Sequence, residues 1–131
     1  MLGAGCCNHG RSGFSAARLA CAVARTALRV IVEERLAERS EELGNWALEE
    51  LRRIRHPDIR EIRGRGLLIG IELTAPARPY CERLMDLGVL CKETHDYVIR
   101  LAPALIISRE DLAWMTDRIR AAFGAPTDNP Q

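Results

Sequence analysis

The chain has 131 residues, is 47% hydrophobic and 28% charged, and carries a net charge of +1. Such a composition suits one soluble globular domain with its own core, and the balanced charge excludes a global field that would draw nucleic acid or an anionic membrane. No apolar run approaches the roughly 20 residues that span a bilayer, and no basic segment followed by an apolar stretch opens the chain.

The cysteines are Cys6, Cys7, Cys21, Cys81 and Cys91. Their number is odd, and apart from the adjacent pair their spacings fit no zinc or redox pattern, so a cytoplasmic protein with free thiols is expected. Of the 19 basic residues only Lys92 is a lysine, which leaves one candidate for any Schiff-base chemistry.

Residues 1–18 mix Gly3, Gly5, Gly10 and Gly13 with Cys6, Cys7, Asn8 and Ser12 and show no period; they read as a degenerate or disordered start. From about Ala16 to Leu36 the pattern is helical, with Leu19, Val23, Ala27, Val30 and Ile31 on one side. Ala20, Ala24 and Leu28 widen that stripe, so much of this helix is expected to be buried. A second helix is expected from about Ala37 to Arg55, with Leu43, Ala47, Leu51 and Ile54 inside, Trp46 flanking, and Pro57 ending it.

Ile59–Arg63 and Leu67–Leu73 read as strands, and Gly64 and Gly66 at their join predict a bulge or a close backbone approach. After a linker through Pro79, a short helix to Leu87 is expected to bury Cys81, Leu84 and Met85, with Gly88 as its C-cap. Val89–Lys92 is expected as a strand, Glu93–Asp96 as a turn and Tyr97–Leu101 as the next strand. Ser108 with Asp111 opens the last helix, which buries Leu112, Met115, Ile119 and Phe123. Residues 124–131 read as a flexible tail. The expected fold is α+β: one sheet of about four strands, largely antiparallel, with helices on one face.

Arg100 is the most informative candidate. Val98, Ile99, Leu101 and Ala102 surround it, so it reads as a guanidinium in a buried strand. A group that cannot lose its charge there requires an anion or a set of acceptors, and a carboxylate facing the planar fork is the strongest common arrangement. A structural ion pair and a substrate receptor both meet that need. Lys92 beside Glu93 reads as a surface lysine. His95 beside Asp96 reads as a turn residue rather than an acid–base pair, since no nucleophile accompanies it. Cys6, Cys7 and His9 fall short of a four-ligand metal set. The arginines between Arg52 and Arg65 stand beside a glutamate-rich helix face, which argues against nucleic-acid contact.

Three stretches carry a family resemblance: Leu19–Ala24, Arg63–Leu73 with its Arg-Gly-Arg-Gly-Leu-Leu word, and Thr94-His95 through Ile99-Arg100-Leu101-Ala102-Pro103. From about Leu19 to Phe123 the chain resembles the C-terminal small domain of class III aminotransferases, fold-type I enzymes that use pyridoxal phosphate. The Thr-His word resembles the ornithine branch of that family more than the acetylornithine branch.

The resemblance implies that Arg100 holds a substrate carboxylate, that of glutamate or 2-oxoglutarate, and that Gly64 and Gly66 are structural. It implies a domain over 19–123 and a cofactor held elsewhere, since no residue here matches the Schiff-base lysine. It therefore implies no catalytic or cofactor-binding residue in this chain, and partners in the form of a separately encoded large domain and a homodimer mate. Around His9-Gly10 the resemblance fades; the expected threonine, asparagine and proline are missing, as in a coding frame disrupted upstream. The implied activity is part of an ornithine–oxo-acid transamination that the chain alone does not perform. A non-catalytic remnant, or a small carboxylate-binding domain, is the alternative.

Overall fold

The computed structural model describes residues 12–124, and their side chains from residue 17 onward. The chain divides into two compact units, one ending at Leu36 and the other beginning at Ala37.

The first unit holds one helix, α1 (Ser12–Glu33). It begins inside the segment that lacks periodicity, so residues 12–18 are helical rather than loop. The apolar stripe is present but exposed: Leu19, Val23, Leu28 and Val32 are all more than 60% accessible. This corrects the expectation of a buried helix. Periodicity marks a face that burial would stabilise; it does not supply the surface that buries it. After α1 the chain turns through Arg35, which takes a left-handed φ of 49°.

The second unit contains α2 (Leu36–Arg52), β1 (Ile59–Arg65), β2 (Leu68–Leu73), α3 (Arg78–Asp86), β3 (Lys92–Thr94), β4 (Val98–Leu101) and α4 (Arg109–Gly124). The strands form one sheet in the order β1-β2-β4-β3, and every neighbouring pair is antiparallel. Strand residues alternate between faces. Ile62, Ile69, Ile71, Leu73, Ile99 and Leu101 all point to one side and are buried. Against them pack Leu43, Ala47 and Leu51 of α2, Tyr80 and Leu84 of α3, and Leu112, Met115, Ile119 and Phe123 of α4. The α+β reading, with helices on one face, is thus borne out.

Where element ends differ from the sequence expectation, backbone hydrogen bonding gives the reason. Pro57 does not end α2. The helix closes five residues earlier, where the Arg53 and Ile54 amides donate to the carbonyls of Glu50 and Leu51 in tighter i→i−3 turns. The strand expected at Val89–Lys92 starts only at Lys92. The Val89 amide is spent on the Leu84 carbonyl and the Gly88 amide on Met85, a Schellman closure of α3 with Gly88 at φ 86°. The buried stripe of α3 runs Ala77, Tyr80, Leu84, so Met85, one position on, is 56% exposed rather than buried. Tyr80 takes the interior place and donates its hydroxyl hydrogen bond to Asp58.

Two glycines set the distance between α2 and the sheet. A Cβ at Gly44 would lie 2.0 Å from the carbonyl oxygen of Gly66. Gly66 itself has φ 54° in the β1–β2 turn, and the Leu67 amide donates to Ser40 Oγ of α2 at 3.1 Å. The expected close approach is therefore present, with Gly44 as the helix's half of it. At α4 the Asp111 amide donates to Ser108 Oγ at 3.0 Å, as the capping pattern predicts.

Candidate functional site

Within this unit the second face of the sheet carries no helix, and it bears Arg100. Strand β4 alternates Val98 and Arg100 on this open face with Ile99 and Leu101 on the core face. Arg100 is exposed. This corrects the sequence reading of a buried guanidinium: its apolar flanks belong to the other side of the sheet. No desolvation forces an anion onto it. Its availability follows instead from an open face and the absence of any ion-pair or side-chain hydrogen-bond partner among the described residues.

Sheet register places its neighbours. Arg100 pairs with Gly70 of β2 on one side and with Lys92 of β3 on the other. Gly70 in turn pairs with Arg63 of β1. One row across the open face therefore reads Arg63, Gly70, Arg100, Lys92. A Cβ on Gly70 would meet Val98 Cγ1 at 3.6 Å and the Arg63 carbonyl at 3.9 Å, ordinary contacts, so Gly70 leaves unfilled a position next to Arg100 that a small side chain could occupy.

One strand position along lies a charged cluster. Arg63 bonds Glu61 at 2.7 Å and also bonds Glu72, while Arg60 reaches Glu72 at 3.0 Å. The hydrogen bond from Arg63 holds the Glu72 carboxyl below the usual carboxylate range. These arginines are thus already neutralised. Glu72 lines a groove of roughly 640 Å³ together with Arg60, Arg63, His95, Tyr97 and Val98.

The turn that delivers β4 to this face is strained: His95 and Asp96 both take left-handed φ values, 52° and 59°. It is anchored by the Ala77 amide, which donates to the Asp96 carbonyl at 2.7 Å. His95 is therefore a turn residue, as read from the sequence.

The remaining candidates separate cleanly. Cys6, Cys7 and His9 lie outside the described residues. Among the described residues no group of three or more His, Cys, Asp or Glu side chains can hold a metal ion, and no helix is long and apolar enough to cross a membrane. Cys21, Cys81 and Cys91 are free thiols. Burial, with the neighbouring Cys81 thiol adding to it, pushes the Cys91 thiol up to about 12. Lys92 is exposed on an edge strand. A Schiff-base lysine is made nucleophilic by desolvation or a neighbouring cation in an enclosed pocket; this open position does not fit a pyridoxal phosphate anchor. Sequence reasoning missed Gly70 and the cross-strand placement of Lys92. The alternation of β4 was legible and would have put Arg100 on the open face; the pairing register was not.

Comparison with known proteins agrees with this architecture. The family described as aminotransferase class-III matches residues 3–123, reaching back into the segment where the resemblance had faded. The ornithine aminotransferase of Geobacillus sp. (strain WCH70) is 59% identical over 116 residues, covering 88% of this chain and 29% of the relative. That of Bacillus subtilis (strain 168) is 58% identical over 113 residues, covering 86% and 28%. Among solved structures, the ornithine aminotransferase of Toxoplasma gondii ME49 superposes with a TM-score of 0.77 at 40% identity, over 80% of this chain and 26% of that one. The acetylornithine aminotransferase of Elizabethkingia anophelis gives the same TM-score at 38% identity, over 80% and 28%. The fold is therefore common to both branches. The chain spans under a third of the length of the curated relatives it matches. It belongs to the class-III aminotransferases.

Proposed function

We propose that this chain is the C-terminal small domain, over about residues 19–123, of an ornithine–oxo-acid aminotransferase. It would act with the family's large domain and pair as the family's homodimers do. The family uses pyridoxal phosphate, which supplies an electron sink for moving an amino group. No residue described here fits its anchor, so the family's large domain would supply it. What this chain contributes is the carboxylate receptor Arg100.

The observation that supports this reading is the placement of Arg100: exposed on the helix-free face, unpaired, with an empty glycine position beside it. A guanidinium fork there can take the carboxylate of glutamate or 2-oxoglutarate in two parallel hydrogen bonds. Gly70, which bears no side chain, keeps the neighbouring position low for the rest of the molecule.

The test places these residues together with the lysine-bearing large domain, in one polypeptide or as two, and reads visible cofactor absorbance and ornithine-dependent turnover with 2-oxoglutarate. Arg100→Ala should then lower kcat/KM for 2-oxoglutarate by about 10- to 100-fold, the scale of a charge-assisted hydrogen-bonded pair. A soluble protein holding both domains and lacking both signals would exclude this reading.

A further inference from the structure

We infer that Lys92 and Arg100 together form a two-cation receptor for one carboxylate group of the oxo acid, with Lys92 as a second anion-binding residue. The identity of the anion rests on the function proposed above; the receptor itself rests on sheet register and charge. Lys92 stands directly opposite Arg100 in the β3–β4 pairing. Residues so paired project from the same face with Cβ atoms about 5 Å apart, and like charges placed there repel.

Elsewhere in the sheet such repulsion is cancelled by carboxylates. Arg63 is flanked by Glu61 and Glu72, and Arg60 by Glu72. At the Lys92 end, Glu82 and Glu93 line a groove together with Lys92, but both carboxylates are held by Arg78. The acid next in sequence, Glu93, pairs with Ile99 on the core side, where its carboxylate is held by Arg78 at 2.9 Å. Neither Lys92 nor Arg100 has an ion-pair or side-chain hydrogen-bond partner among the described residues.

The row Arg63, Gly70, Arg100, Lys92 is thus neutral at one end and doubly positive at the other. Gly70 contributes no side chain to fill the gap between. A carboxylate set over the doubly positive end offsets the repulsion. It has two oxygens and about four lone-pair sites, enough to accept from a guanidinium fork and an ammonium together. A lysine on an edge strand also blunts unwanted strand addition; that role needs no anion and separates in the test.

The 15N-labelled full chain is titrated with 2-oxoglutarate, and with chloride at matched ionic strength, while backbone amide shifts are followed. The wild type should show saturable shifts in β3 and β4 with 2-oxoglutarate only. Lys92→Gln should raise the apparent Kd about three- to five-fold, the range of an exposed charge contact, whereas Lys92→Arg should hold it near wild type. The thermal midpoint of Lys92→Gln should not fall, because a like-charge contact has been removed; a merely structural lysine would lower the midpoint and leave Kd alone. A Kd for Lys92→Gln equal to wild type, or no saturable shift in the wild type, overturns the inference. Arg100→Gln separates the two levels. If it abolishes the shifts while Lys92→Gln does not, only the role of Lys92 fails; if it too binds as wild type, the Arg100 assignment fails with it.

Discussion

Gly44→Ala is a substitution whose sign is reversed by tertiary structure. In an isolated helix the change is favourable by about 1 kcal/mol, since glycine is a poor helix former and alanine the best. Gly44 lies inside α2, so propensity alone predicts stabilisation. The new Cβ, however, would lie 2.0 Å from the Gly66 carbonyl oxygen, 2.2 Å from its carbon and 2.7 Å from its Cα. Favourable contacts begin near 3.5 Å, and all three opposing atoms are backbone, so no side chain can swing away. Either α2 or the β1–β2 turn must move by more than about 1 Å, which also opens the hydrogen bond from the Leu67 amide to Ser40. Overpacking of this kind costs up to about 3 kcal/mol. After the helix gain, the net expectation is a loss of about 2 kcal/mol. Urea denaturation followed by far-UV circular dichroism reads it as a lower midpoint at unchanged slope. A midpoint equal to or above wild type would refute the claim that glycine is there for proximity.

Further expectations follow from the same structure. Asp96→Gly should stabilise the chain by about 0.5–1 kcal/mol, because it relieves a left-handed residue in the β3–β4 turn; the same urea titration detects it. Tyr80→Phe should cost about 1 kcal/mol at neutral pH through the lost hydrogen bond to Asp58. Burial first, and Asp58 second, push the Tyr80 hydroxyl from its ordinary 10 up to about 12. The fold therefore favours the protonated phenol. That contribution is full below pH 10 and is lost as pH rises through 12, so the difference in urea midpoint between wild type and Tyr80→Phe should shrink between pH 9 and pH 12. A constant difference across that range would contradict the assignment.

Local patterning carried much of the fold. Period-3.6 stripes gave the interior of α2 and α4, and Ser108 with Asp111 gave the start of the last helix, because these depend on neighbours within one turn. The strand words and the turn at His95 were legible for the same reason. Of the candidate site, only Arg100 was legible. Arg100 stood out chemically, but its environment was misread, because a run of apolar letters does not show which face each one takes until the sheet is covered on one side.

By itself, the sequence determined the element types and the α+β class, and it singled out Arg100 as a candidate. These follow from periodicity and from residue chemistry, both local properties. Tertiary structure decided the rest: the exposed face of α1, the contact of Gly44 with Gly66, and the row that sets Lys92 beside Arg100 across two strands. Register and close approach join residues distant along the chain, and which of many such pairings wins is settled only when the whole core packs at once.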